Sequence, residues 1–167
     1  SNTIPVGNTT LYQIQALIDI PSIGVNVGDL GGYIEKEANL SQKGDAWVSS
    51  SACVYGDARV SEDALVSGNA RVFGNAWIGD NAWVGANAWV YGDAQVYGNA
   101  QVHDFACVYG NARVAENAWV HGNARVYGNA WMYENAWVYG NARVYGNARV
   151  YGNAWVSEDT KVYGNAV

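Results

Sequence analysis

The stretch from Val120 to Val150 reads VHGNARVYGNAWMYENAWVYGNARVYGNARV, and it decides the fold because one six-residue unit repeats without a break. Outward from this stretch, every sixth residue from Val48 to Val162 is an aliphatic anchor, almost always valine. The residue four positions after each anchor is alanine, except at Thr160. Such a chain is a solenoid, in which each repeat buries its apolar side against the next.

Each unit predicts a short strand followed by a corner. In Ala88-Trp89-Val90-Tyr91, alanine and valine alternate with variable residues, which is the period-two pattern of a strand with one buried face. The next two residues are Gly-Asn, Gly-Asp or Glu-Asn in most units, and these types tolerate positive φ and form tight corners. Because each repeat buries only a thin column of side chains, stability should come from stacking many coils.

These units resemble the hexapeptide-repeat family, whose units read aliphatic-Gly-x-x-small-x. The resemblance covers Ile34 to Val167. It implies an all-β fold, a single-stranded left-handed parallel β-helix in which three units form a triangular coil of 18 residues. The spacing establishes the period of six, whereas the handedness and the three-unit coil come from the resemblance. Calcium-binding nonapeptide coils are excluded because no G-G-x-G-x-D unit occurs.

Residues 1–33 do not repeat and predict an N-terminal cap, followed by the hexapeptide-repeat β-helix over residues 34–167. Leu11 to Ile20 is apolar with partial alternation, which favours a strand and loop that cover the open end of the β-helix. Gln42 and Lys43 predict a two-residue insertion before the strict register begins. The segment from Leu11-Tyr12-Gln13-Ile14 through Gly31-Gly32-Tyr33-Ile34 and Ala38-Asn39-Leu40-Ser41 resembles the N-terminus of uncharacterised bacterial and prophage-encoded hexapeptide-repeat proteins of the V-x-G-N-A type, which implies a phage relation.

The two ends of the chain also carry expectations. Ser1-Asn2, with no initiating methionine, is typical of a cloning remnant. The repeats run to Ala166-Val167 with no visible cap. We therefore expect either a truncated chain or an open end that stacks on another chain.

In a three-unit coil, residues eighteen apart stack about 4.7–4.9 Å from one another, so outward side chains form columns. We define the Trp face by the anchors Val48, Val66, Val84, Val102, Val120, Val138 and Val156. The residues before these anchors are Trp47, Leu65, Trp83, Gln101, Trp119, Trp137 and Trp155. The residues after them are Ser49, Ser67, Gly85, His103, His121, Tyr139 and Ser157. None of these outward residues is Asp, Glu, Lys or Arg.

The other two faces are more polar. On the Tyr face, the column after the anchors is Tyr55, Phe73, Tyr91, Tyr109, Tyr127, Tyr145 and Tyr163, and the column before them is Cys53, Arg71, Trp89, Cys107, Arg125, Arg143 and Lys161. The third face carries Arg59, Trp77, Gln95, Arg113, Trp131 and Arg149 beside Ser61, Gly79, Tyr97, Ala115, Tyr133 and Tyr151. The corner after the third face carries an acidic ridge of Glu62, Asp63, Asp80, Glu116 and Glu134.

The two aromatic faces are candidate binding surfaces. A continuous uncharged aromatic strip exceeds the apolar patches that monomers usually expose. We therefore predict a homo-oligomer, a dimer or a trimer, that associates through Trp47, Trp83, Trp119, Trp137 and Trp155. The predicted face for a protein or glycan partner consists of Tyr91, Tyr109, Tyr127, Tyr145, Arg125 and Arg143. Stacked aromatic columns also stabilise parallel strands by themselves, so the Tyr face has a purely structural explanation as well.

A catalytic alternative depends on His103 and His121, the only two histidines, and on Asp104 beside the first. Many hexapeptide-repeat proteins are acyltransferases, and the resemblance implies that one of these histidines would be the general base. Against this, the uninterrupted register leaves no projecting loop to form an acceptor pocket. Two polar residues that fill a column are the alternative explanation. We expect a protein without catalytic activity, with acyl transfer as the alternative, and no cofactor.

Other classes of partner fit less well. A zinc site of the carbonic anhydrase type needs three histidines, so no metal is expected. Cys53 and Cys107 lie three coils apart in one column, beyond the roughly 7 Å that a disulfide spans. Free thiols, with no signal peptide or transmembrane run, favour the cytoplasm and no membrane contact. The net charge of −6 disfavours nucleic acid, although the basic column could stack single-stranded bases. The sequence predicts a rod-like scaffold or binding module.

Overall fold

The computed structural model describes residues 2–167, and residue 1 of the predicted cloning remnant lies outside this range. The N-terminal strands β1 (Thr3–Val6) and β2 (Thr9–Gln15) form an antiparallel hairpin. β2 also pairs antiparallel with β3 (Leu30–Ile34), and β3 pairs in parallel with the strand Cys53–Val54. The cap is therefore continuous with one sheet of the solenoid. Two short 3-10 helices, Pro21–Ile23 and Glu37–Asn39, flank β3.

Every later strand is two residues long and ends on one anchor. The sheet of the Tyr face contains Cys53–Val54, Arg71–Val72, Trp89–Val90, Cys107–Val108, Arg125–Val126, Arg143–Val144 and Lys161–Val162. The sheet of the Trp face contains Trp47–Val48, Leu65–Val66, Trp83–Val84, Gln101–Val102, Trp119–Val120, Trp137–Val138 and Trp155–Val156. The sheet of the third face contains Arg59–Val60, Trp77–Ile78, Gln95–Val96, Arg113–Val114, Trp131–Met132 and Arg149–Val150.

Within each sheet, parallel pairs join residues eighteen positions apart, for example Trp83 with Gln101 and Val84 with Val102. Backbone N–H groups donate to carbonyl oxygens of the next coil, as in Trp83 N–H to the Ala100 carbonyl at 2.9 Å. The predicted all-β solenoid with three sides and 18 residues per coil is confirmed. The left-handed winding stays a prediction from the resemblance.

The interior of the solenoid is a column of anchors and alanines. Val66, Ala100 and Val102 are fully buried, and so are the larger anchors Ile78 and Met132. Each buried anchor contributes roughly 1.5–3 kcal/mol of transfer free energy. Because each coil contacts only its neighbours, this column is the shared core of the whole rod.

The cap packs on the first coil. Ile14 contacts the central column and also a small cluster formed by Ala16, Ile20 and Trp47. Leu11 is fully buried. The domain boundary placed after residue 33 stays a prediction, since β3 spans it. In residues 2–167, no helix has the length and apolar character that a membrane span requires.

The predicted two-residue insertion is confirmed by the register of the first anchors. Ile34 pairs with Val54 and Leu40 with Val60, so the partners are two residues further apart than elsewhere. The extra residues lie in a turn where the Lys43 backbone N–H donates to the Ser41 hydroxyl at 3.1 Å.

The corners use left-handed backbone. The corner after the Tyr face has glycine in every coil, as at Gly110 with φ 71°. On the other two corners, Asp or Glu occupies this conformation in several coils, as at Asp80 with φ 52° and Glu116 with φ 57°. A Cβ on Gly110 would lie 3.1 Å from the backbone nitrogen of Gly128, so the coil above crowds this position.

A Gly110→Ala change should lower the free energy of unfolding by about 1–2 kcal/mol, because an L-residue is strained at this φ and its Cβ meets the next coil. Urea denaturation measures the change. Gly152→Ala is the matched control, since φ is 68° there and nothing lies closer than 3.8 Å to the added Cβ. Equal losses in the two variants would show that crowding contributes nothing.

Candidate functional site

Each tryptophan indole leans back over the coil before it. The indole N–H of Trp83 donates to the Ser67 hydroxyl at 2.8 Å, and that of Trp77 to the Ser61 hydroxyl at 2.9 Å. In both pairs the partner is sixteen residues earlier in the chain. Gly85 permits this orientation because a Cβ there would lie 2.9 Å from the Trp83 ring.

The same rule positions the other indoles of the Trp face on aromatic partners. Trp119 meets His103 edge to face at 6.1 Å between ring centroids, and Trp137 meets His121 in the same way at 6.0 Å. Such edge-to-face pairs are favourable aromatic contacts. The histidines therefore take the structural place that serines take under Trp77 and Trp83.

Trp131 on the third face lacks this partner. The residue sixteen positions before it is Ala115, which has no hydroxyl, and the buried Trp131 Nε1 has no hydrogen-bond partner among residues 2–167. Arg113 and Arg149 lie against the ring at 5.6 and 5.9 Å from its centroid. The cations hold the indole in place while one buried donor stays unsatisfied.

Replacing Ala115 with serine should restore the missing acceptor and raise the free energy of unfolding by about 0.5–1.5 kcal/mol. Chemical denaturation measures the gain. Ser67→Ala is the reciprocal variant, because it leaves Trp83 Nε1 without its acceptor and should destabilise the chain. A loss of stability in Ala115→Ser would show that the buried site has no room for the hydroxyl.

The accessible part of the Trp face begins above the cap. Trp47 is only 6% exposed because the cap residues Ala16 and Ile20 pack on it, so its prediction as a self-association residue is corrected. Trp83 is exposed, Trp155 is exposed at the far end, and Gln101 separates Trp83 from Trp119. The continuous stack follows the order Trp119, Trp137, Trp155, with centroid distances of 4.6 and 5.5 Å.

The histidine pair lies in the middle of this face, as its spacing predicts. The two rings stack at 5.2 Å, His103 also stacks on Trp83, and His121 also stacks on Tyr139. Nδ1 of His103 lies 3.3 Å from Asp104 Oδ1, and Nδ1 of His121 lies 3.8 Å from Asp104 Oδ2. One carboxylate thus faces two imidazoles.

The electrostatics of this group favour a neutral His121. Burial, reinforced by His103, lowers the pKa of His121, and Asp104 opposes this shift only in part. The N–H of Gly122 donates to Asp104 at 3.0 Å, and this bond is the main cause that lowers the pKa of the Asp104 carboxyl. A neutral histidine beside a carboxylate has the composition of a general base. However, His121 Nε2 is buried against its neighbours with no partner among residues 2–167, so no substrate atom can reach it.

Acidification should weaken the fold through His121. Because the folded state lowers its pKa, the unfolded chain binds the proton more tightly, and stability falls as the pH decreases through the ordinary value near 6.5. His121→Phe keeps the ring on Tyr139 and removes the titration, so it should lose less stability than the parent between about pH 7.5 and 5.5. Denaturation midpoints at both pH values measure this. Asp104 acts in a separate pH range, because its folded pKa is lowered and the stability that its carboxylate contributes is lost only below about pH 3.8.

The predicted partner residues of the Tyr face lie in one continuous ladder. The rings stack with centroid distances of 4.9 to 5.2 Å and interplanar angles up to 10°. Both faces of each inner ring are therefore covered by its neighbours, and only edges and hydroxyls face solvent. Burial raises the pKa of Tyr91 and of Tyr109, so these phenols stay neutral. Sugar rings and nucleobases cannot stack inside such a ladder.

Arg125 and Arg143 lie beside this ladder on adjacent strands, and Lys161 continues their column. The cysteines Cys53 and Cys107 lie lower in the same column and are free thiols. Burial raises the pKa of both thiols, which keeps them protonated and unreactive near neutral pH.

The acidic ridge has a structural role that the sequence did not reveal. The Glu62 carboxylate accepts the backbone N–H of Asp80, and the Asp80 carboxylate accepts that of Gly98 at 2.8 Å. Glu116 accepts the N–H of Glu134 at 3.0 Å in the same way. These carboxylates satisfy the corner N–H of the next coil. The sequence aligned at a period of 18 places these residues in one column, but the direction in which each side chain points across coils is set by packing.

Two comparisons bear on the family. Residues 64–80, 106–122, 122–134 and 142–158 match the YdcK β-solenoid repeat, so the chain is similar to a repeat β-solenoid family over part of its length. No curated protein matches the chain. Among residues 2–167, no group of three or more His, Cys, Asp or Glu side chains is placed to hold a metal ion. The match and the coil geometry agree on a repeat-protein scaffold.

Proposed function

We propose that this protein is a non-catalytic, rod-like scaffold that self-associates through its Trp face and presents its Tyr face to a partner. The observation that carries the proposal is the stack of Trp119, Trp137 and Trp155 on a face with no Asp, Glu, Lys or Arg at any outward strand position. Large exposed aromatic patches mark interfaces, and tryptophan dominates binding hot spots.

The shape of the rod supports a scaffold role. Seven strands stack in the sheet of the Trp face, so the rod is about 30 Å long at roughly 4.8 Å per coil. Its sides are flat columns fixed by backbone hydrogen bonds in every coil. A preformed, rigid surface loses little conformational entropy when it is buried against a partner.

The packing around the two half-buried histidines supports the absence of catalysis. Trp119 and Trp137 cover the edges of His103 and His121, and the rings above and below cover their faces. A general base needs hydrogen-bond reach to the proton that it abstracts. The packed stack instead serves the continuity of the Trp face, so acyl transfer is the weaker proposal.

Gln101→Glu should weaken self-association at least tenfold, because it places an unpaired negative charge between Trp83 and Trp119 on the buried face. Sedimentation velocity over a concentration series measures the change. Gln95→Glu on the third face is the matched control, since it makes the same chemical change at an equivalent strand position. The triple change of Trp119, Trp137 and Trp155 to serine should abolish association, with circular dichroism as the check of folding.

A monomeric parent protein at all concentrations would overturn the proposal. So would an equal effect of Gln95→Glu and Gln101→Glu, because the interface would then not be specific to the Trp face.

A further inference from the structure

Three cations form an unpaired column on the Tyr face. Arg125 pairs in register with Arg143, and Arg143 with Lys161, so like charges lie directly opposite one another on adjacent strands. All three residues are exposed. Like charges in this arrangement destabilise a sheet, because nothing in the column offsets their repulsion.

Most other cations of the chain have a local partner. Arg71 lies over the Trp89 ring at 5.4 Å, and Arg113 and Arg149 lie against Trp131. Lys36 forms an ion pair with Asp57 at 2.6 Å. Among residues 2–167, the column of Arg125, Arg143 and Lys161 has neither an aromatic ring beneath its charges nor a carboxylate within ion-pair distance.

The distance between successive cations in this column limits the kinds of partner that can pair with all of them. The stacked rings beside it repeat every 4.9 to 5.2 Å. An extended peptide presents side chains on one face every 6.4–6.8 Å or so, which does not match this repeat. Nucleobases cannot enter the closed ring ladder. Carboxylates carried by successive coils of a second solenoid have the same repeat, because the coil itself sets it.

The acidic ridge of this chain supplies such carboxylates. Glu116 and Glu134 are exposed, occupy the same corner in successive coils, and stand three residues before Trp119 and Trp137. One oxygen of Glu116 accepts the Glu134 N–H, which leaves its other oxygen for a second contact. When another copy covers the Trp face, this ridge therefore lies at the edge of the interface.

We propose that the partner of the Tyr face is a second copy of this chain, whose Glu116 and Glu134 pair with Arg125 and Arg143. The inference rests on the proposed function, self-association through the Trp face. The Trp face of one copy contacts the Tyr face of the next, so the contact joins two different surfaces and is heterologous.

The acidic ridge stands before the strands of the Trp face, and Arg125 and Arg143 stand at the start of the strands of the Tyr face. Strands on the facing sides of two identical coils run in the same direction only when the rods are antiparallel. An antiparallel second copy therefore brings the two columns together, with Glu116 facing Arg143 and Glu134 facing Arg125. A heterologous contact of this kind between antiparallel rods continues as a filament.

A charge exchange tests the inference. Arg125→Glu with Arg143→Glu should weaken association at least tenfold in sedimentation velocity, and so should Glu116→Arg with Glu134→Arg. All four changes in one chain should restore association, because each acidic position again faces a basic one. Arg59→Glu with Arg149→Glu, both on the third face, is the control of equal charge change away from the contact, and it should associate like the parent. Circular dichroism of each variant checks folding.

The outcomes separate the inference from the proposed function. If Gln101→Glu weakens association but both charge-reversed pairs associate like the parent, the Trp face is an interface and the heterologous contact is wrong. If each pair weakens association and the fourfold exchange does not restore it, the pairing is also wrong. If the parent is a monomer, the proposed function fails and the inference fails with it.

Discussion

Backbone hydrogen bonds between residues eighteen positions apart hold each coil to the next, and the surface columns of this protein depend on that constraint. The constraint works because the side chains of valine and alanine, which carry no polar atom, fill the narrow interior. A fixed interior then places identical sequence positions above one another at the spacing of a parallel sheet. Aromatic stacks and charged columns follow directly, because a residue type that recurs every eighteen positions forms a column along the rod.

The aromatic columns show how that geometry limits function. In the Tyr ladder each inner ring uses both faces on its neighbours, so ligands that recognise ring faces are excluded from it. On the Trp face, indoles lean onto the preceding coil and leave an uncharged surface with ring edges outward. The Tyr face therefore presents a polar column of hydroxyls beside cations, whereas the Trp face presents an apolar strip. This difference supports separate roles for the two faces in assembly.

Charged residues in the solenoid serve the fold and the surface together. Asp80, Asp104 and Glu116 occupy left-handed corners and accept the N–H of the coil above, a bond that a glycine corner cannot make. The second carboxylate oxygen of Asp104 lies 3.3 Å from Nδ1 of His103. Arg71, Arg113 and Arg149 rest on indoles, whereas Arg125, Arg143 and Lys161 do not. The contrast between these two sets of cations underlies the proposal that a second copy supplies the missing carboxylates.

The period of six, the buried anchors and the two-residue insertion before Val48 follow from the sequence pattern, because alternation and register are local properties that any regular coil must respect. The sorting of Trp, Tyr and acidic residues into columns also needs the 18-residue coil, which only the family resemblance supplied. Tertiary structure alone decided that the cap covers Trp47, that indoles lean sixteen residues back, and that corner carboxylates bind the next coil. Those contacts join residues on different coils, or join the cap residues after β2 to the first coil. The direction of a side chain across coils is set by packing, which a local repeat does not encode.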